Sequence, residues 1–168
     1  MSLFSLNRRT DESMTAKNQF LKRLQARHSP PTFSSKHQAD IAAFRQQMAL
    51  LLDNMNAWLT DTALQAEELT VSVTDLLVEE GAFAIPGIVL SYENRTIKFI
   101  PLFLYGQGVI GCVEVTLCTG NNVTRLSRLF MRAGQVSAWT LNQQRDLSRP
   151  GELFDEDAFF RLINVLLP

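Results

Sequence analysis

From Ile97 to Leu117 apolar residues recur on both sides of Gly106-Gln107-Gly108, the pattern of two antiparallel strands joined by a tight connection whose glycines supply positive φ. With Tyr105 set against Val109, one face carries Phe103 opposite Gly111, Pro101 opposite Val113, Phe99 opposite Val115 and Ile97 opposite Leu117. Gly111 then leaves room for the Phe103 ring. The other face carries Leu104 opposite Ile110, Leu102 opposite Cys112, Ile100 opposite Glu114 and Lys98 opposite Thr116, so it is apolar near the glycines and polar at the far end. An ordinary one-sided antiparallel sheet alternates along its whole length. Leu102, Leu104, Ile110 and Cys112 therefore call for a cover, inside the chain or outside it.

The strongest helical pattern precedes this hairpin. Ile41, Phe44, Met48, Leu51, Met55 and Trp58 recur at alternating steps of three and four, with Leu52 and Leu59 widening the stripe. The spacing predicts a helix from Ser34 or Ser35 to about Thr60 or Ala63, lying across the Phe99-Phe103-Val113 face. Leu69, Val71 and Val73 alternate with hydroxyl residues as a half-buried strand, and Phe83 to Tyr92 forms the next, with Pro86 and Gly87 marking an edge or a bulge. A turn at Glu93-Asn94 sets Leu90 by Ile97 and Ile88 by Phe99. Beyond the hairpin, a three-residue turn in Thr119-Gly120-Asn121-Asn122 would pair Glu114 with Arg128 and Cys112 with Phe130. A two-residue turn would pair Leu117 with Leu126 and Val113 with Phe130. Both stay open at this stage. Val136 to Leu141 closes the sheet, Asn142 to Glu152 is a polar loop, and a last, very apolar helix starts near Asp155.

These elements predict an α+β domain: an antiparallel meander of five or six strands, packed by a long helix before it and a short one after it. The last helix is the internal candidate to cover Leu102, Leu104 and Ile110; a second chain is the external one. The domain spans 33–168. Residues 1–32 form a basic arm in which Thr10, Asp11 and Glu12 start a helix from about 11 to 27, with a narrow stripe of Met14, Phe20, Leu21 and Leu24, before Pro30-Pro31 stops it. A helix this length is marginal alone and needs a docking site.

Charge sharpens that division. The net charge is −1, but residues 1–45 carry eight basic groups against three acids, so the arm is basic and the rest acidic. The 46% apolar and 20% charged composition is that of a globular protein, and no apolar run approaches the ~20 residues of a membrane span. No signal-like segment stands at Met1 to Leu6, so a cytoplasmic location is the expectation. Cys112 and Cys118 lie on one strand, about 20 Å apart, too far to bridge or share a metal.

Catalytic patterns are missing. His28 and His37 flank the Pro-Pro break as solvated linker residues, Asp155-Glu156-Asp157 caps a helix, and Glu114 forms a structural ion pair with Arg128. The expectation is a protein without enzymatic activity, cofactor or metal, which binds another protein chain, self or foreign, through an apolar sheet face or an edge strand. Its candidate contacts are Leu102, Leu104, Ile110 and Trp139 on the sheet, with Phe20, Arg23, Leu24 and Arg27 on the arm. Two rivals remain: a small-ligand pocket or active site between sheet and long helix, lined by Phe99, Phe103, Met48 and Met55, and nucleic-acid binding through the arm. Against the last, Arg125, Arg128 and Arg132 are the sheet's only basic run.

Overall fold

Ile41, Phe44, Met48, Leu51, Met55 and Leu59 are all buried, because helix α1 (Thr32–Trp58) turns its three-and-four stripe onto the sheet. The computed structural model describes residues 16–21, 23, 32–75, 77–78, 81–106, 108–132, 139–142 and 151–168. The chain divides into two units, Met1–His37 and Gln38–Pro168, with the division falling inside α1. In the first, residues 16–21 and 23 are helical, within the span expected for the arm helix.

The second unit holds seven strands, each antiparallel to its neighbour in sequence: β1 (Ala66–Thr74), β2 (Ala82–Tyr92), β3 (Arg95–Gly106), β4 (Val109–Thr119), β5 (Asn122–Arg132), β6 (Trp139–Asn142) and β7 (Glu152–Leu153). The expected α+β meander is therefore present. The extra strand is β7, two residues in the polar loop's last turn that pair with Thr140 and Leu141.

The sheet parts in the middle. β2 pairs with β3 only from Ile88–Phe99 to Tyr92–Arg95, and its earlier half pairs with β1 alone. The separation falls at Pro86-Gly87, where Pro has no N–H to give the ladder and a Cβ on Gly87 would meet the Phe99 carbonyl at 2.9 Å. Burial changes phase there, so Phe83 and Ile85 join the same core as Ile88 and Leu90.

The central hairpin keeps the expected register from Ile97–Leu117 through Phe99–Val115 to Pro101–Val113, and then loses it. A bulge at Leu102 brings Phe103 opposite Cys112, Tyr105 opposite Ile110 and Gly106 opposite Val109. One inserted residue exchanges faces. Leu104 thus enters the main core at 0% exposure, while Phe103 turns to the other side. Against β5, β4 carries an extra residue of its own between Val109 and Cys112, beside Gly111 at φ +123, and there Ile110 packs against the main core while Val109 joins the opposite cluster. Gly111 accommodates Phe44 of α1 rather than Phe103, with φ +123 and the Phe44 ring 3.4 Å from where a Cβ would stand.

At the next turn Thr119 pairs with Asn122 around two residues, and an irregularity between Arg125 and Ser127 restores Glu114–Arg128 and Cys112–Phe130. The pairs of the three-residue alternative are reached by a tighter turn followed by a bulge.

Helix α2 (Glu156–Ile163) is capped by Asp155, whose Oδ1 accepts from the Ala158 N–H at 2.9 Å, and runs into a 3-10 turn (Asn164–Leu166). It lies on the same side of the sheet as α1: Phe159 stands 5.3 Å from Trp58, and Phe154 stands 6.4 Å from Phe99. The expected cover of the opposite face by this helix does not form. Asn56 of α1 fixes the start of β1, its amide giving and taking one hydrogen bond with the Ala66 backbone at 3.1 and 2.9 Å. Arg95 ties β3 to the C-terminal turn through the Val165 carbonyl at 2.7 Å.

Candidate interaction surfaces

The sheet residues expected to meet a partner are largely occupied. Leu104 lies within the core, Ile110 is half-buried against it, and Trp139 is buried beside Phe44 with its ring 6.1 Å away. Only Leu102 stays on the opposite face, half-buried with Phe103 against a small cluster of Val109, Cys112 and Phe130. The Leu102 bulge in β3 and the irregularity between Val109 and Cys112 in β4 have together divided one broad apolar patch between two sides of the sheet. On the arm, Phe20 is 64% exposed and Arg23 is exposed, while Leu24 and Arg27 lie outside the described residues.

Away from that cluster the opposite face is polar. Glu114 faces Arg125 at 3.4 Å and Arg128 at 3.5 Å, the expected ion pair with one more cation. Burial pushes the Cys112 thiol up to about 12; Arg128 opposes the shift and Glu114 adds to it. His28 lies outside the described residues, and His37, expected in a solvated linker, is buried in the first turns of α1.

Asp75 was missed by the sequence reading. It follows β1, is buried, and fills the gap between β2 and β3: Oδ2 accepts from the N–H groups of Leu104 at 3.1 Å and Tyr105 at 3.0 Å, and Oδ1 from Leu77 at 2.9 Å. The Tyr105 hydroxyl donates to Asp40 of α1 at 2.6 Å. Burial first, then this hydrogen bond and the charges of Asp40 and Asp75, hold the phenol above the ordinary tyrosine range. Two carboxylates and a phenol in one place suggest acid–base chemistry, but Asp75 is committed to backbone donors and Tyr105 to Asp40. They hold three elements together. The signal available in the sequence was an acid placed directly before the apolar run Leu76-Leu77-Val78.

Between the long helix and the sheet Phe99 and Met55 are fully buried and Phe103 has turned away, but a cavity of about 210 Å³ remains, lined by Met48, Leu52 and Asp53 of α1 and by Glu68, Pro86 and Ile88 of β1 and β2. Two more concavities lie on two faces of α2. Ala158, Arg161, Leu162 and Val165 look into a cavity of about 240 Å³ floored by Leu126, Ser127 and Leu141, with an Arg161–Glu152 ion pair among its lining residues. Ser127 Oγ is buried and lacks a hydrogen-bond partner among the described residues.

The second face gives an apolar groove. Phe160, Ile163, Asn164 and Leu167 follow the three-and-four spacing of one helix face and line a groove of about 290 Å³, completed by Thr62 to Leu64 from the α1–β1 connection and by Tyr92 at the end of β2. Phe160 is 36% exposed and Leu167 54%. Large side chains are left in water here because the helix is apolar over more than half its circumference and the core takes only Ala158, Phe159 and Ile163.

Among the described residues no group of three or more His, Cys, Asp or Glu converges to hold a metal ion, and no helix is long and apolar enough to cross a membrane. Comparison with protein-family models, with curated proteins and with solved structures finds no match for this chain.

Proposed function

We propose that this protein is a non-enzymatic interaction module, and that its partner is another protein whose apolar side chains fill the groove between α2 and the α1–β1 connection. The supporting observation is the groove itself, with Phe160 and Leu167 standing in solvent at its rim. It encloses about 290 Å³ with an almost wholly apolar lining, and a few buried apolar anchors carry most of the energy of a protein contact. Leu102 and Phe103 contribute less, being already half-buried against their own cluster.

A photoreactive amino acid placed at Phe160, with the same group at exposed Val123 as control, tests this reading in cells. Mass spectrometry identifies the adduct, and the complex is then rebuilt from purified proteins. The reading holds if the adduct is specific to the Phe160 site and Leu167→Asp weakens the rebuilt complex at least about tenfold. Equal labelling from both sites, or a complex indifferent to Leu167→Asp, refutes it.

A further inference from the structure

We infer that the groove's occupant is an amphipathic helix with a cationic polar face, supplied by a partner protein. This rests on the interaction reading above and adds the chemistry of the partner. Helix periodicity places Glu156 and Asp157 four and three residues before Phe160, one turn toward the N-terminus on the face that lines the groove. Asp61 immediately precedes Thr62, and Glu93 immediately follows Tyr92, each beside a lining residue on the opposite wall. All four carboxylates are exposed.

Two cations close by in sequence, Arg95 and Arg161, are engaged elsewhere. Arg95 donates to the Val165 carbonyl at 2.7 Å, and Arg161 lies on the other face of α2, paired with Glu152. An apolar trough flanked by acids on both walls fits a helix that presents two or three apolar anchors at three-and-four spacing, with Lys or Arg beside them. A helix carrying acids at those flanks meets like charge on each wall and is rejected. Because the flanking groups are exposed, the preference is sensitive to salt.

The test titrates the full chain with two fluorescein-labelled 18-residue helical peptides of identical leucine stripe, one with lysine and one with glutamate on the polar face. The lysine peptide is expected to bind at least about tenfold tighter in low salt. That preference should shrink in 0.5 M NaCl, and also in the variant combining Asp61→Asn, Glu93→Gln, Glu156→Gln and Asp157→Asn. Phe160→Asp should abolish binding of the lysine peptide. Leu167→Asp, confirmed as folded by far-UV circular dichroism, guards against misfolding at Phe160.

Equal binding of both peptides, lost with Leu167→Asp, leaves the groove as a docking site and overturns the cationic preference alone. Binding of the lysine peptide that survives both groove variants overturns the groove reading as well. No binding of either peptide overturns the helical occupant. A dimer in sedimentation that dissociates on Leu167→Asp assigns the groove to a second copy and overturns the foreign partner.

Discussion

The backbone N–H of Tyr105 donates to Oδ2 of Asp75 at 3.0 Å, across the opening where β2 has parted from β3. The same oxygen takes the Leu104 N–H, so one side chain does for β3 what a neighbouring strand does elsewhere. Asp75→Asn puts an amide donor in place of one acceptor and sets it against backbone donors; a loss of about 2 kcal/mol is expected in urea unfolding. Asp75→Ala should cost about 3 kcal/mol. Tyr105→Phe, which removes the bond to Asp40, should cost less, about 1.5 kcal/mol. Asp75→Ala proving milder than Tyr105→Phe would show that the carboxylate does not hold the gap.

The two thiols should separate cleanly. Cys118 is half-buried and Cys112 is fully buried, with its ionisation pushed from 9.0 up to about 12. Ellman's reagent at pH 8 is expected to modify one thiol readily and the second only as the chain unfolds. The linkage sign follows from proton binding: between pH 9.0 and about 12 the folded thiol keeps its proton while the unfolded one loses it. Its contribution to stability is complete below pH 9.0 and is lost as the pH rises toward about 12. Tyr105, also raised, acts in the same direction at still higher pH. Urea midpoints measured from pH 8 upward should fall, and should fall less steeply in Cys112→Ala.

Ser127 offers the opposite case. Its Oγ is buried without a hydrogen-bond partner among the described residues, so the hydroxyl is a desolvated group with no return. Ser127→Ala should raise stability by about 1 kcal/mol, read as a higher urea midpoint at unchanged slope. A loss of stability instead would mean that the oxygen is bonded.

Glu93 sits at φ +53 in the β2–β3 turn, a left-handed conformation that disfavours residues with a Cβ. Glu93→Gly relieves this and adds chain entropy to the unfolded state. The balance should favour the variant by up to about 1 kcal/mol, seen as a rise in Tm. An unchanged or lower Tm would show that the turn carries little strain.

Periodicity located α1 and the far half of the hairpin because each records a single contact surface: the α1 stripe and the pairs from Ile97–Leu117 to Pro101–Val113 are as read. It failed one residue beyond Pro101, where the Leu102 insertion exchanged Leu104 for Phe103 between faces. Counting alternate residues cannot register an insertion, and the group that stabilises it, Asp75, lies 29 residues from Leu104 in sequence. The side of the sheet taken by α2 was equally hidden, because a helix apolar over most of its circumference fits either face. The groove was illegible for a related reason: its walls come from Thr62 to Leu64, Tyr92 and Phe160 to Leu167, stretches with no shared local pattern. Asp155 as a cap and the Leu90–Ile97 and Ile88–Phe99 pairs were legible, being set by neighbours only a few residues away.

The order of elements has a consequence during synthesis. Ile41, Phe44, Met48, Leu51 and Met55 leave the ribosome well before β3 and β4, the strands that supply Phe99, Leu104 and Val113 to shelter them. Until those strands emerge, the nascent helix carries a greasy stripe with nothing to rest on, the condition in which chaperones capture growing chains. The strands that come after need no such waiting, since each zips onto the one made just before it.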